Sequence, residues 1–191
     1  MTIRNLRYLF KPKSVALIGA SKRPQSIGAT LARNLFGAGF DGPVMPVNPK
    51  YRVIESVITY PDVASLPETP ELAVISTPPE SVPGIIGELG RRGTRAVVVI
   101  SAGFGEGGEP RGNELQQAIL DAAKPYLLRI LGPNCLSIMV PGVGLNASFA
   151  PCNPLPAYST QICHPFQRKV ATQSGVKLTT GRSAATRMVH C

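Results

Sequence analysis

The chain has 191 residues, of which 43% are hydrophobic and 16% charged, with 19 Gly and 19 Pro; this fits one well-punctuated globular domain and argues against a disordered chain or two full domains. The net charge of +9 is unevenly spread: up to Asp121 there are 13 basic and 11 acidic residues, and beyond it 7 basic and none acidic. The excess therefore belongs to the tail and not to a basic helix or strand face of the kind that reads nucleic acid.

Residues 1–13 form an N-terminal segment in which Arg4, Arg7, Lys11 and Lys13 surround a short apolar stretch that lacks the h-region of a secretory signal. Residues 14–19, Ser-Val-Ala-Leu-Ile-Gly, are an apolar run without helical period, which predicts a buried parallel strand ending on glycine. After a loop over 20–25, Ile27, Leu31, Leu35 and Phe36 fall at helical spacing behind Ser26, a good N-cap, and Gly37 and Gly39 close the helix. Residues 43–47 read as a second strand, with Asn48-Pro49-Lys50 as its exit turn. Residues 51–60, with Val53, Ile54, Val57 and Ile58, fit either a small hairpin or an irregular excursion.

A third buried strand is predicted over 72–76, stopped by Thr77-Pro78-Pro79 because proline cannot donate to a ladder. A helix follows over 81–92, with Pro83 tolerated in its first turn. Residues 96–100 are a fourth strand, 101–112 a glycine-rich loop, 113–124 a helix and 127–131 a fifth strand. The longest aliphatic run, residues 96–100, falls far short of the roughly 20 needed to span a bilayer.

Alternating strands and helices with short links predict an α/β fold: a Rossmann-like, doubly wound parallel sheet of about five strands. In such sheets ligands bind beyond the carboxyl ends of the strands, and the unusual loops collect at that edge. Gly19-Ala20-Ser21 followed by Ser26-Ile27-Gly28 has the makings of a phosphate-gripping turn, in which glycine admits the anion and helix amides point at it. The spacing differs from Gly-x-Gly-x-x-Gly. An NAD site would place an acid at the end of the second strand; Asn48 and Lys50 stand there instead. A lysine in that place suits a phosphorylated ribose, which coenzyme A carries at the 3′ position and NADP at the 2′ position.

Six landmarks occur in order: Val-Ala-Leu-Ile-Gly-Ala-Ser at 15–21, Ser-Ile-Gly at 26–28, Pro-Val-Asn-Pro-Lys at 46–50, Ile-Ser-Ala-Gly-Phe at 100–104, Leu-Gly-Pro-Asn-Cys at 131–135 and Gly-Leu-Asn-Ala-Ser-Phe at 144–149. Together they resemble the CoA-binding domain of NDP-forming acyl-CoA synthetases, as found also in the succinyl-CoA synthetase α subunit and in fused protein acetyltransferases. The resemblance spans about residues 6–156 and implies a coenzyme A site. By that likeness Gly19, Ala20, Ser21 and Ser26 face the CoA phosphates, Lys50 the phosphorylated ribose, and Thr77, Pro78, Pro79 and Val82 the adenine side; Gly28 and Asn48, beside them, are counted among the CoA-binding residues. Ile100, Ser101, Ala102 and Gly103 flank the pantetheine arm, with Asn134 near its reactive end. Ser56 and Ser137 stand where the family usually has glycine, and at Ser137 a turn of positive φ would be strained.

The resemblance also implies partners: a second flavodoxin-like domain bearing a phosphorylated histidine, and an ATP-grasp module. Neither His164 nor His190 lies in a glycine-rich setting between strand and helix, so no catalytic residue is assigned and the chain is expected to be catalytically incomplete. Residues 151–191 are expected to be an irregular tail, truncated or out of frame; Thr172-Gln173-Ser174-Gly175 faintly echoes the next family landmark. Cys135, Cys152, Cys163 and Cys191 lack the paired spacing of a zinc module, and no metal site is expected. Location in the cytoplasm, without nucleic-acid or membrane partners, is expected. Alternatives are a stand-alone CoA- or nucleotide-binding regulator and, less favoured, an NADP-dependent oxidoreductase, for which no proton-transfer residue is evident.

Overall fold

The computed structural model describes residues 3–106 and 108–150. Five short strands form one parallel sheet: β1 (Val15–Ile18), β2 (Val44–Val47), β5 (Leu72–Ile75), β6 (Ala96–Val99) and β7 (Arg129–Leu131), in the spatial order β2-β1-β5-β6-β7. β1, β5 and β6 are buried along their whole length, because both faces of the sheet are covered. Alternation along the pleat sends Val15 and Leu17 to one face and Ala16 and Ile18 to the other.

The face bearing Leu17 packs on α2 (Ile27–Gly37) through Leu31 and Leu35. The opposite face packs on α3 (Val82–Arg92) through Ile86 and Leu89, and on α4 (Pro110–Ala123) through Ile119. No helix joins β2 to β5. Instead Val63 and Leu66, in the connecting loop, cover that part of the core. The Arg92 guanidinium holds this loop by donating to the carbonyls of Ala64 (2.9 Å) and Leu66 (2.8 Å).

Several expectations are sharpened. Residues 51–60 contain the antiparallel hairpin of β3 (Val53–Ile54) and β4 (Val57–Ile58), with Glu55 and Ser56 at the turn. Tyr60 then covers the free edge of β2, its amide donating to the Pro46 carbonyl (2.9 Å) while its own carbonyl accepts from the Asn48 amide (2.8 Å). α4 starts at Pro110, earlier than residue 113, because proline at the first helical position gives up an amide that has no intrahelical partner anyway. The fifth strand starts at Arg129 and not at Leu127, whose φ of 52° lies in the left-handed region and interrupts extended backbone.

Two features were not anticipated: the short helix α1 (Arg7–Phe10), and the hairpin of β8 (Met139–Val140) with β9 (Leu145–Asn146). Among the described residues no helix is long and apolar enough to cross a membrane. The tail expected at 151–191, with His164 and His190, lies outside the described residues.

Candidate functional site

Counting only the sheet strands in chain order, the arrangement is 2-1-3-4-5. The strand order reverses between β1 and β5, and at such a switch point open α/β sheets bind ligands. A cleft of about 860 Å³ opens there. It is built from the segments leaving β1, β2 and β5.

The first segment turns at Gly19, with φ 92°. A Cβ at this position would lie 2.7 Å from the Ser76 carbonyl oxygen, so both the backbone conformation and the adjacent strand require glycine. Gly28 is required by close approach alone, since a Cβ there would collide with the Gly19 carbonyl oxygen. These contacts set the first turn of α2 against the end of β1. Ser26 caps that helix: its Oγ accepts from the Ala29 amide (3.2 Å) and donates to the Arg23 carbonyl (2.7 Å). The remaining first-turn amides, those of Ile27 and Gly28, have no intrahelical acceptor and carry the positive end of the helix dipole.

The second segment is tied to the first. Asn48 Nδ2 donates to the Ala20 carbonyl (2.7 Å), and its Oδ1 accepts from the Lys50 amide (2.8 Å), closing a local turn that fixes the backbone from which Lys50 projects. From the third segment, Ser76 Oγ lies 3.3 Å from the Ile18 carbonyl and 3.4 Å from that of Gly19, either of which can accept its proton. Ser81 Oγ is within hydrogen-bond distance of Thr77 Oγ1 (2.9 Å) and of the Pro78 carbonyl (2.7 Å).

Gly19, Ser21, Ser26, Gly28, Asn48, Lys50, Thr77 and Pro78 all line this one cleft. Ala20 is fully buried and takes part only through its carbonyl. The other sequence-derived residues lie elsewhere. Val82, the first residue of α3, is fully buried, and Ile100 is buried at the end of β6. Neither side chain lines the cleft, because each completes the core on its own face of the sheet. Ser101, Ala102, Gly103 and Asn134 form a second group further along the same sheet edge, beyond β6 and β7, and Pro79, in the segment leaving β5, lies against Gly103.

The second group is held by its own hydrogen bonds. Ser101 Oγ donates to the Thr77 carbonyl (2.5 Å), and the Asn134 amide donates to the Ser101 carbonyl (3.0 Å). The Glu106 carboxylate accepts from the amides of Gly103 (3.1 Å) and Phe104 (2.8 Å) and from the Asn134 side chain. Hydrogen bonding of this kind, led by the amide of Glu106 itself, holds its carboxyl below the usual range. Next to this group the half-buried Cys135 thiol is pushed upward by burial, which disfavours the thiolate.

Sequence reasoning missed several lining residues: Arg23, Gln25, Tyr51, Asp62, Ile85 and Glu88. Ile85 and Glu88 were discoverable, since they lie four and seven positions after Ser81 and hence on one face of α3. Asp62 was not, because the loop carrying it reaches the cleft only through tertiary packing of Val63 and Leu66. The hydroxyl and amide of Ser65 both donate to Asp62 and lower its pKa. Among the described residues, no cluster of His, Cys, Asp and Glu could hold a metal ion.

Comparison with known proteins bears directly on this edge. Residues 13–141 match the family described as the CoA binding domain. The chain is 40% identical over 156 residues to the α subunit of the ADP-forming acetate–CoA ligase I of Pyrococcus furiosus, covering 80% of this chain and 34% of that protein. It is 43% identical over 145 residues to the ADP-forming acetate–CoA ligase of Methanocaldococcus jannaschii, covering 76% of this chain and 20% of that protein. Among solved structures, the apo form of the dinucleotide forming acetyl-coenzyme A synthetase 1 of Ca. Korarchaeum cryptofilum superposes with a TM-score of 0.72 at 39% identity, covering 76% of this chain and 31% of that one. The chain thus spans between a fifth and about a third of the length of these relatives. The match over residues 13–141, on a sheet whose switch point opens into a cleft, makes this chain a member of the CoA-binding domain family of NDP-forming acyl-CoA synthetases.

Proposed function

We propose that the cleft between β1, β2 and β5 is the seat of the nucleotide end of coenzyme A, and that the chain serves as the CoA-holding module of an acyl-CoA synthetase or a related acetyltransferase. One observation carries the reading: the first-turn amides of α2 and the ammonium-bearing Lys50 border the same cleft. Its volume of about 860 Å³ lies within the range of ligand pockets, about 300 to 1,000 Å³. Glycine at 19 and 28 lets the end of β1 pack directly against Ser76 and the first turn of α2, and this close packing sets the first-turn amides at the rim of the cleft.

In this reading the Ile27 and Gly28 amides take a phosphate, as helix N-termini commonly do. Arg23 and Lys50 are the cations that line the cleft among the described residues, and Lys50 takes the ribose phosphate. Ile85, Pro61 and Thr77 offer the apolar and polar walls for the base. Ser101, Ala102, Gly103 and Asn134, along the sheet edge, flank the pantetheine arm; Ala20, Pro79, Val82 and Ile100 shape these surfaces from behind. When bound, coenzyme A supplies a thiol that can accept an acyl group. The share of the relatives' length that this chain spans supports a division of labour in which further domains or subunits, working with it in the cytoplasm, supply the acyl donor.

Calorimetric titration with CoA, dephospho-CoA, NAD and NADP tests the reading. CoA is expected to bind most tightly, with dephospho-CoA weaker by about 1.5 to 3 kcal/mol, roughly ten- to a hundredfold. In Lys50→Ala the two should bind alike. Equal binding by the unaltered chain removes Lys50 from the site, and a preference for NADP would favour the oxidoreductase reading instead.

A further inference from the structure

We propose that Glu106 is a positioning residue for the ligand arm that leaves the cleft: its carboxylate holds the loop after β6 in the shape that this arm meets. The inference rests on the coenzyme A reading above and deepens it.

The loop from Ser101 to Phe104 is fastened at both ends. Ser101 Oγ donates to the carbonyl of Thr77, a residue lining the cleft, so one end is tied to the nucleotide seat. At the other end Phe104 is buried, 2% exposed, in the core beneath α3 and α4. Between these anchors Ala102 and Gly103 are exposed, and Gly103 has φ 102°. That conformation lets the amides of Gly103 and Phe104 converge, and both donate to the same Glu106 oxygen, Oε2. The Asn134 side chain donates to Glu106 as well, while the Asn134 backbone amide donates to the Ser101 carbonyl. A continuous set of hydrogen bonds thus joins the segments leaving β5, β6 and β7, and Glu106 is its only ionised member among the described residues. Charge-assisted hydrogen bonds are roughly twice as strong as neutral ones, so the carboxylate contributes more to the loop's shape than a neutral side chain of equal size would.

A residue with this role affects the arm of the ligand and not its nucleotide end. The test is calorimetric titration of the full chain and of Glu106→Gln and Glu106→Ala with CoA and with 3′-phosphoadenosine 5′-diphosphate, the nucleotide end alone. Glu106→Gln, which keeps the side-chain volume, is expected to bind CoA about three- to tenfold more weakly and the nucleotide end within about twofold of the unaltered chain. Glu106→Ala should show the same split, enlarged. Asn134→Ala, which removes the other side-chain partner, should show it too. Unchanged CoA affinity in both Glu106 variants overturns the proposal, as does an equal loss for both ligands in a Gln variant that melts with the unaltered chain. Failure of the unaltered chain to bind CoA would refute the functional reading itself, a separate outcome.

Discussion

Ser137 concentrates two unfavourable features in one residue. Its φ is 88°, a region that side chains with a Cβ rarely adopt, and its hydroxyl is buried without a hydrogen-bond partner among the described residues. Ser56 shares the first feature, with φ 66°. It lies at the exposed turn of a hairpin where glycine is the preferred residue, so water can satisfy its hydroxyl. Strain at non-glycine residues with positive φ costs of order 1 to 3 kcal/mol, and an orphaned hydroxyl adds to it. Glycine carries a larger unfolded-state entropy, which returns part of that gain. Ser137→Gly is therefore expected to raise stability by about 1 kcal/mol, read as a higher urea midpoint at unchanged slope. A midpoint that falls would mean that the hydroxyl has a partner in solution or that the turn tolerates serine.

At the scale of elements, α2 and β1 are joined by a contact that leaves no room for a side chain. Gly28 is the second residue of the helix, where alanine has the better propensity by at most about 1 kcal/mol. Propensity alone predicts that Gly28→Ala stabilises the protein. Packing predicts the reverse, because the added Cβ would meet the Gly19 carbonyl oxygen, part of a backbone fixed by the Gly19 amide donating to Val47 (3.0 Å). Overpacking costs typically about 1 to 3 kcal/mol. The packing term wins, so Gly28→Ala is expected to lower stability by about 1 kcal/mol and to weaken CoA binding as the first turn of α2 moves off the cleft. Denaturant unfolding checks the first effect and calorimetry the second. A net gain in stability would show that the junction yields easily. The same competition between local and tertiary terms explains the element boundaries. The glycine-rich composition around residues 101–112 hid the first turn of α4, and the left-handed Leu127 shortened β7 at a place where the apolar sequence reads as strand.

For the whole molecule, the ligand seat is assembled from strand exits far apart in sequence: Gly19, Asn48 and Ser76 meet only because β1 pairs with both β2 and β5. A ligand that spans these exits binds the folded chain and has no comparable site on the unfolded one, so it must raise stability by mass action. At a free CoA concentration one hundred times the dissociation constant the gain is about 2.7 kcal/mol. For a domain of this size that corresponds to a rise in Tm of roughly 5 to 10 °C. A thermal-shift titration in which CoA leaves Tm unchanged at saturating concentration would contradict the proposed site. Dephospho-CoA should give a smaller shift at equal concentration, because Lys50 then has no ribose phosphate to meet.

By itself the sequence determined the fold class, the five sheet strands and the residues at the strand exits. Each of these is written in local patterns: unbroken apolar runs for buried strands, helical spacing behind Ser26, and glycine or proline within a few residues of each sheet-strand end. It also marked Ser56 and Ser137, since a departure from glycine in a known family pattern is visible without coordinates. Tertiary structure alone decided the strand order, and with it which exits share a cleft and which stand apart beyond β6 and β7. It alone brought Asp62 to the cleft and Glu106 to Asn134, and it withdrew the side chains of Val82 and Ile100 into the core. The physical reason is that pairing between distant segments is set by burial summed over both faces of the sheet, a quantity that no window of neighbouring residues contains.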